Sequence, residues 1–258
     1  MTIADKLTTV AENEQRVFDS GKSKGYTEGY TKGEQNGYDF GFDEGKKSEY
    51  DAFWDACQEN GSRREYEEAF CRATWNNDNF KPKYDMKPTT ASNMFYRFNG
   101  DQFTPSMDLS ARLEECGVTL DFSECKTFNY CFQNAVINRV GVIDVRNAES
   151  TINALFSNCY WTHTVDKLIV AESNVFDYWC FLNADIKNIV VEGVIGCDIT
   201  LHTCPLTKAS FISVINALSS SASGKTLTLK KTAKEAAFTD SEWDALISTK
   251  PNWTITLA

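Results

Sequence analysis

Between Phe132 and Val191 the alternation of apolar and polar positions repeats one short pattern three times. Phe132-Gln-Asn134-Ala135, Phe156-Ser-Asn158-Cys159 and Phe181-Leu-Asn183-Ala184 recur about every 25 residues. Each precedes an apolar triplet: Ile137/Val140/Val142, Val165/Leu168/Val170 and Ile186/Ile189/Val191. A period in the mid-twenties that joins one short strand to one compact turn predicts parallel windings, which bury their apolar edges only by stacking. Residues two apart on a strand share a face, so the last two members of each triplet are expected inside. Gly141, Ile169 and Val190 then point outward as an apolar column beside the polar Arg139, Lys167 and Asn188. A solvated face is normally polar, so Ile169 and Val190 are expected to be covered, by another copy or by the aromatic cluster Phe95, Tyr96 and Phe98. The Phe of each unit is expected to fill the centre of its winding. The small Ala or Cys that follows lets the next winding pass, and the Asn bonds the backbone of the turn.

Compared with the other units, the second carries four extra residues after Cys159. That excess predicts a loop out of register holding Tyr160, Trp161 and His163, with Tyr178 and Trp179 near it one winding on. Aromatic side chains on a loop held by a rigid scaffold are frequent binding anchors, and these five are the candidate binding residues.

The chain before this region has a different pattern. Thr2 can cap a helix with Ile3, Leu7, Val10 and Val17 in a coiled-coil seam. Gly21, Gly25, Gly29, Gly33, Gly37, Gly41 and Gly45 then fall at every fourth residue, and Tyr26, Tyr30, Tyr38 and Phe42 each follow one of them. In a helix each Gly costs about 0.8–1 kcal/mol relative to Ala, a loss that only close helix–helix approach recovers. Residues 1–75 therefore read as a helical oligomerisation stalk, with Gly25, Gly29, Gly33, Gly37 and Gly41 and the rings of Tyr26, Tyr30 and Tyr38 at its interface; the alternative for the ladder is a flexible Gly-rich linker. Its later part carries the Tyr50/Phe53/Trp54/Cys57 face and the Ser62–Glu65 capping box. Residues 76–107, holding three of the five prolines, read as an irregular connector.

Residues 108–207 form the repeat region. A short helix through Leu109 and Leu113 opens it, Gly117 ends that helix, and Val118 to Phe122 is the expected first strand. Residues 208–258 close it: a helix capped by Thr207, a strand Thr226–Leu229, a helix opened by the Thr239-x-x-Glu242 capping box, and a last strand Thr254–Leu257. The expected fold class is α/β, a short parallel solenoid with a helical C-terminal cap and an N-terminal helical stalk.

Composition narrows the function. A net charge of -10 over 258 residues gives no basic face for a phosphate backbone, so nucleic acid is not an expected partner. No apolar run approaches the ~20 residues of a membrane span, and the start lacks the basic-then-apolar order of a signal peptide, so synthesis in the cytoplasm is expected. Nine cysteines, an odd number, favour buried free thiols over a disulfide framework. Ser219 to Thr226 ends in Gly-Lys-Thr but lacks the first glycine of a phosphate loop, and a strand follows where a helix is needed. Cys197, His202 and Cys204 lack a fourth metal ligand, and His163 has no nucleophile signature beside it. No catalytic residue, metal or cofactor is expected.

The repeat unit, an apolar strand followed by a pattern close to A-F-x-x-C, resembles the BspA-like leucine-rich repeat over residues 118–207, without the Pro that often follows the strand there. The glycine ladder resembles the GxxxG repeats of FliH-type flagellar export proteins. The whole order resembles proteins of phage and prophage tail regions of gut Firmicutes. The stretches that carry this resemblance are Thr2-Ile-Ala-Asp-Lys-Leu7, Tyr50-Asp-Ala-Phe53-Trp54, Phe80-Lys-Pro-Lys-Tyr84-Asp-Met-Lys-Pro88 and Cys116-Gly-Val-Thr-Leu-Asp-Phe122. The resemblance implies a homo-oligomeric virion structural protein of tail-fibre or receptor-binding type, made in the host cytoplasm. Its expected partners are other virion proteins and a host surface protein or glycan, without membrane insertion. The alternative is a bacterial surface adhesin or an intracellular protein-binding scaffold.

If the glycine ladder is a helix–helix seam, replacing Gly29, Gly33 and Gly37 together by Leu blocks close approach. Light scattering should then show a smaller assembly for the triple variant than for the parent chain. The same oligomer for both, or a monomer for both, refutes the seam.

Overall fold

The computed structural model describes Phe70, residues 80–98 and residues 107–258, all within one compact unit that runs from Gly61 to Ala258. The glycine ladder, its tyrosines and the rest of the expected stalk lie outside the described residues. The described chain is α/β, with two sheets that are parallel throughout. The first orders β1 (Met107–Asp108), β2 (Ile137–Asp144), β3 (Thr164–Val170) and β4 (Asn188–Gly193) as they occur in the chain. The second orders β5 (Ile199–Leu201), β6 (Lys225–Leu229) and β7 (Trp253–Leu257). Four helices are seen among the described residues: α1 (Leu109–Cys116), α2 (Lys208–Ala217), α3 (Lys231–Ala237) and α4 (Asp240–Ile247).

A column of phenylalanines forms the centre of the larger part. Phe70, Phe95, Phe132, Phe156 and Phe181 stack ring on ring, with centroids 5.1, 5.1, 5.4 and 5.9 Å apart, and each is at most 1% exposed. The separation is close to the ~4.8 Å between neighbouring strands, so one ring stands in each winding. Around each Phe the chain makes the same turn. The amide three residues on donates to the Phe carbonyl, from Phe98, Ala135, Cys159 and Ala184 at 3.0–3.2 Å. Two residues after the Phe the backbone is left-handed, at Arg97, Asn134, Asn158 and Asn183. Asn is the side chain that tolerates this conformation best after Gly, and this explains its recurrence better than a bond to the turn backbone. One pair of these side chains bonds along the stack: Asn183 Nδ2 donates to Asn158 Oδ1 at 2.9 Å.

Residues 91–98, expected to be irregular, thus form one more winding. The amides of Asn93, Phe95 and Arg97 donate to the carbonyls of Asn129, Cys131 and Gln133 at 2.7–2.8 Å. Val118 to Phe122 is not a strand; Leu120 makes a single bridge to Met86, and β1 is the first strand of the sheet. α1 forms where the spacing predicts. Asp108 caps it through the Ala111 amide, and left-handed Gly117 closes it.

The register of the strands departs from the expected triplets. Val140, Val165 and Ile189 lie side by side, as do Ile143, Leu168 and Val191. In β2 and β3 the inner positions are therefore three apart, so one extra residue bulges toward the outer face. Val142 points outward and is 46% exposed, while Ile143 takes the inner place at 1%. Nor do Gly141, Ile169 and Val190 share a column. Ile169 sits between Asp144 and Glu192, Ser110 of α1 packs over Gly141, and Val190 is 51% exposed. Ion pairs cross this face, Arg139 to Asp166 and Lys167 to Glu192, both at 2.7 Å.

After β4 a different device takes over. α2 lies along the edge of β4, and its Ser210 and Ser213 hydroxyls accept the Ile189 and Val191 amides at 2.9 and 2.8 Å. Those amides would otherwise be open to another strand. Gly193 and Gly196 make the passage from β4 to β5 possible: a Cβ on either would lie 2.0 or 2.3 Å from the carbonyl oxygen of Val170 or Glu172. The capping box on α4 is complete, with Thr239 bonding the Glu242 amide and the Glu242 carboxylate returning to Thr239. Strands β6 and β7 form at the expected residues, whereas β5 and α3 had no clear pattern in the sequence.

Replacing Ser210 by Ala leaves the buried Ile189 amide without its acceptor, and a loss of about 1–3 kcal/mol is expected. Chemical denaturation checks this. The control Ile212→Ala, on the exposed side of α2, should change stability by less than about 0.5 kcal/mol.

Candidate functional site

The turns that hold the phenylalanines also set the surface beside them. Because alternate backbone groups of each turn bond to the next, as Tyr130 and Phe132 do to Asn153 and Leu155 and as Phe156 and Asn158 do to Cys180 and Leu182, the turn edge is a ladder rather than a set of free loops. Residues that point out of it are fixed in place by the backbone.

Four of the five candidate binding residues are exposed aromatics on this edge: Tyr160 at 59%, Trp161 at 37%, Tyr178 at 57% and Trp179 at 55%. Tyr178 and Trp179 meet edge to face, with centroids 5.6 Å apart, and Tyr178 stacks on His202 from the following winding. On the neighbouring turn the Tyr160 hydroxyl reaches Asn158 Oδ1 at 3.4 Å, which joins Tyr160 to the Asn158–Asn183 pair. His163, the fifth candidate, places Nε2 3.0 Å from Asp185 Oδ2, and Lys187 Nζ stands 3.6 Å from the same oxygen. Adjacent windings thus carry three small groups: the rings of Tyr178, Trp179 and His202, the Tyr160 hydroxyl joined to the Asn158–Asn183 amides, and the His163–Asp185–Lys187 cluster.

The insertion behind Tyr160 and Trp161 is smaller than the sequence suggested. Since Val165 aligns with Val140 and Ile189, the winding carries one extra residue, not four. Thr162, 1% exposed, turns inward and donates its hydroxyl to the Ile137 carbonyl at 2.8 Å. That inward turn leaves Tyr160 and Trp161 on the outside. Sequence reasoning did not single out Tyr130, 43% exposed, although it precedes Phe132 by the same two residues that separate Trp179 from Phe181. His202, Asn158, Asn183 and Asp185 were missed as site members because their contacts cross windings.

Among the described residues no three His, Cys, Asp or Glu side chains gather to hold a metal ion. Cys125, Cys131, Cys159, Cys180 and Cys204 point inward and are fully buried. Cys159 donates its thiol to the Phe132 carbonyl at 2.7 Å. Burial pushes the thiols of Cys125, Cys159 and Cys204 up to about 12, and it raises those of Cys131 and Cys180 well above their ordinary value. A neutral, buried thiol is neither a nucleophile nor a ready metal ligand. The segment 219–226 runs directly into β6, so its Gly-Lys-Thr has no helix N-terminus to hold a phosphate. A shallow depression of about 540 Å³ near Lys126 and Arg146 has those cations engaged by Glu149 and Asp144, each at 2.7 Å. No described helix is long and apolar enough to cross a membrane.

No family model, curated protein or solved structure matches this chain.

Iodoacetamide at pH 8 should leave Cys125, Cys159 and Cys204 unmodified in the folded protein and label them in denaturant, because at that pH each remains protonated, about four units below where its thiolate forms. Peptide mass mapping reads the result. Rapid labelling of Cys159 in the native state would show that the winding around Phe132 opens.

Proposed function

We propose that this protein is a recognition module rather than an enzyme: a leucine-rich-repeat-type solenoid, similar to BspA-like repeats, whose turn edge is its binding surface. One observation carries this reading. Tyr160, Trp161, Tyr178 and Trp179 stand well exposed on turns that the Phe column and the backbone ladder hold rigid, so the rings present a fixed contact area that loses little conformational freedom on binding. Buried anchors at interfaces are typically Trp and Tyr. The functional setting we infer is a phage or prophage virion of the tail-fibre or receptor-binding kind, in which the glycine-ladder segment assembles copies and the repeat head contacts the host surface. The sequence resemblances over Thr2–Leu7, Tyr50–Trp54 and Phe80–Pro88 support that setting. Assembly of several heads would raise the avidity of a weak contact.

Replacing Tyr160 and Trp161 by Ser tests the surface. Fluorescently labelled protein should bind intact Firmicutes cells, and the double variant should bind several-fold less while its melting temperature stays within a few degrees. A large fall in melting temperature would mean that the two rings support the fold instead.

A further inference from the structure

Resting on that reading of the turn edge, we propose that its ligand is a neutral glycan, held by the rings of Trp179, Tyr178 and Trp161 and by the polar groups of Asn158, Asn183 and Asp185. The residues between the rings carry the argument. Within 156–163 and 175–185, the large hydrophobic side chains that stand well exposed are Val175, Tyr160, Trp161, Tyr178 and Trp179, four of the five aromatic. A protein-binding hot spot is ringed by contacts that exclude water, and aliphatic side chains serve that purpose. Here the turns that carry the rings also carry the hydrogen-bonding groups of Asn158, Asn183 and Asp185. Asn183 gives one amide N–H to Asn158 Oδ1 at 2.9 Å and keeps a second, because the group has two. Asp185 offers carboxylate oxygens that His163 and Lys187 approach at 3.0 and 3.6 Å. A hexopyranose matches this mixture. Its C–H face lies against the negative face of an aromatic ring, and its rim of hydroxyls can donate to a carboxylate and accept from an amide or a cation.

Spacing and charge narrow the class. Neighbouring windings are 5.1–5.9 Å apart at their Phe rings, about one sugar unit of an extended oligosaccharide. A chain laid along the stack would therefore meet the turn of one winding per sugar. A net charge of -10 disfavours anionic polymers such as wall phosphodiesters, and at the site Lys187 already faces Asp185. An uncharged saccharide carries no such penalty.

The experiment uses the full chain, intact Firmicutes cells, the same cells after protease treatment, and neutral wall polysaccharide purified from them. The expected result is binding that survives protease, competition by the purified polysaccharide, and roughly tenfold weaker affinity for Trp179→Ser and Tyr178→Ser. Asn183→Gly, which removes the amide but keeps a residue suited to the left-handed turn, should also weaken binding. Val142→Thr, on the strand face, should not, and circular dichroism on each variant separates loss of contact from loss of fold. Binding that protease abolishes and the polysaccharide does not compete would overturn the glycan proposal while leaving the recognition reading intact. Absence of binding to cells and polysaccharide alike would overturn both.

Discussion

The spacing of the stacked phenylalanines governs the rest of this structure. A ring 5.1–5.9 Å from its neighbours fits only if consecutive windings run at strand separation, which requires the chain to return to the same point in each circuit. The return length is 24 residues from Phe132 to Phe156 and 25 from Phe156 to Phe181. The tight turn beside each ring follows from the same requirement. It needs a left-handed residue, which Asn supplies three times, and a side chain three positions after the ring that packs inside, as Ala135, Cys159 and Ala184 do. Burying a Phe contributes on the order of 1.5–3 kcal/mol, and five such rings stand in the column, each against its neighbours.

Much of this was legible in the chain because the column repeats its own sequence. Where the repeat is degenerate, legibility fails for identifiable reasons. The winding at Phe95 has Arg97 in the left-handed position and Phe98 in the small-residue position, so its pattern is hidden although its hydrogen bonds are the same. The bulged residue in β2 and β3 moves the third inner position from Val142 to Ile143. Period-two reasoning cannot detect that shift, because both residues are apolar. α3 carries three lysine or glutamate side chains and no apolar stripe, and β5 is three residues long. α1, α4, β6 and β7 were readable because each has its own signal: a cap, or strict alternation.

The surface divides in the same way. Tyr160, Trp161, Tyr178 and Trp179 could be picked out as aromatic residues beside a repeat turn. Their polar companions could not, since the meeting of Asn158 with Asn183 and of His163 with Asp185 crosses from one winding to the next, and His163 lies beyond the inserted residue and the inward-turned Thr162. The chemistry of the edge therefore belongs to the stack and to no single turn, and a change in the core register would scatter it.

The serine seal on β4 bears on how such a protein can change its length. Ser210 and Ser213 each take up one strand amide, and the passage through Gly193 and Gly196 is tailored to the carbonyls of Val170 and Glu172. The end of the array is thus fitted to one specific last winding. Between β2 and β4 each winding meets its neighbours through the same ladder and the same ring contact. Gene duplication of a whole 24- or 25-residue unit there would lengthen the aromatic edge by one turn and leave both ends untouched, so the length of that edge can change separately from stability at the terminus.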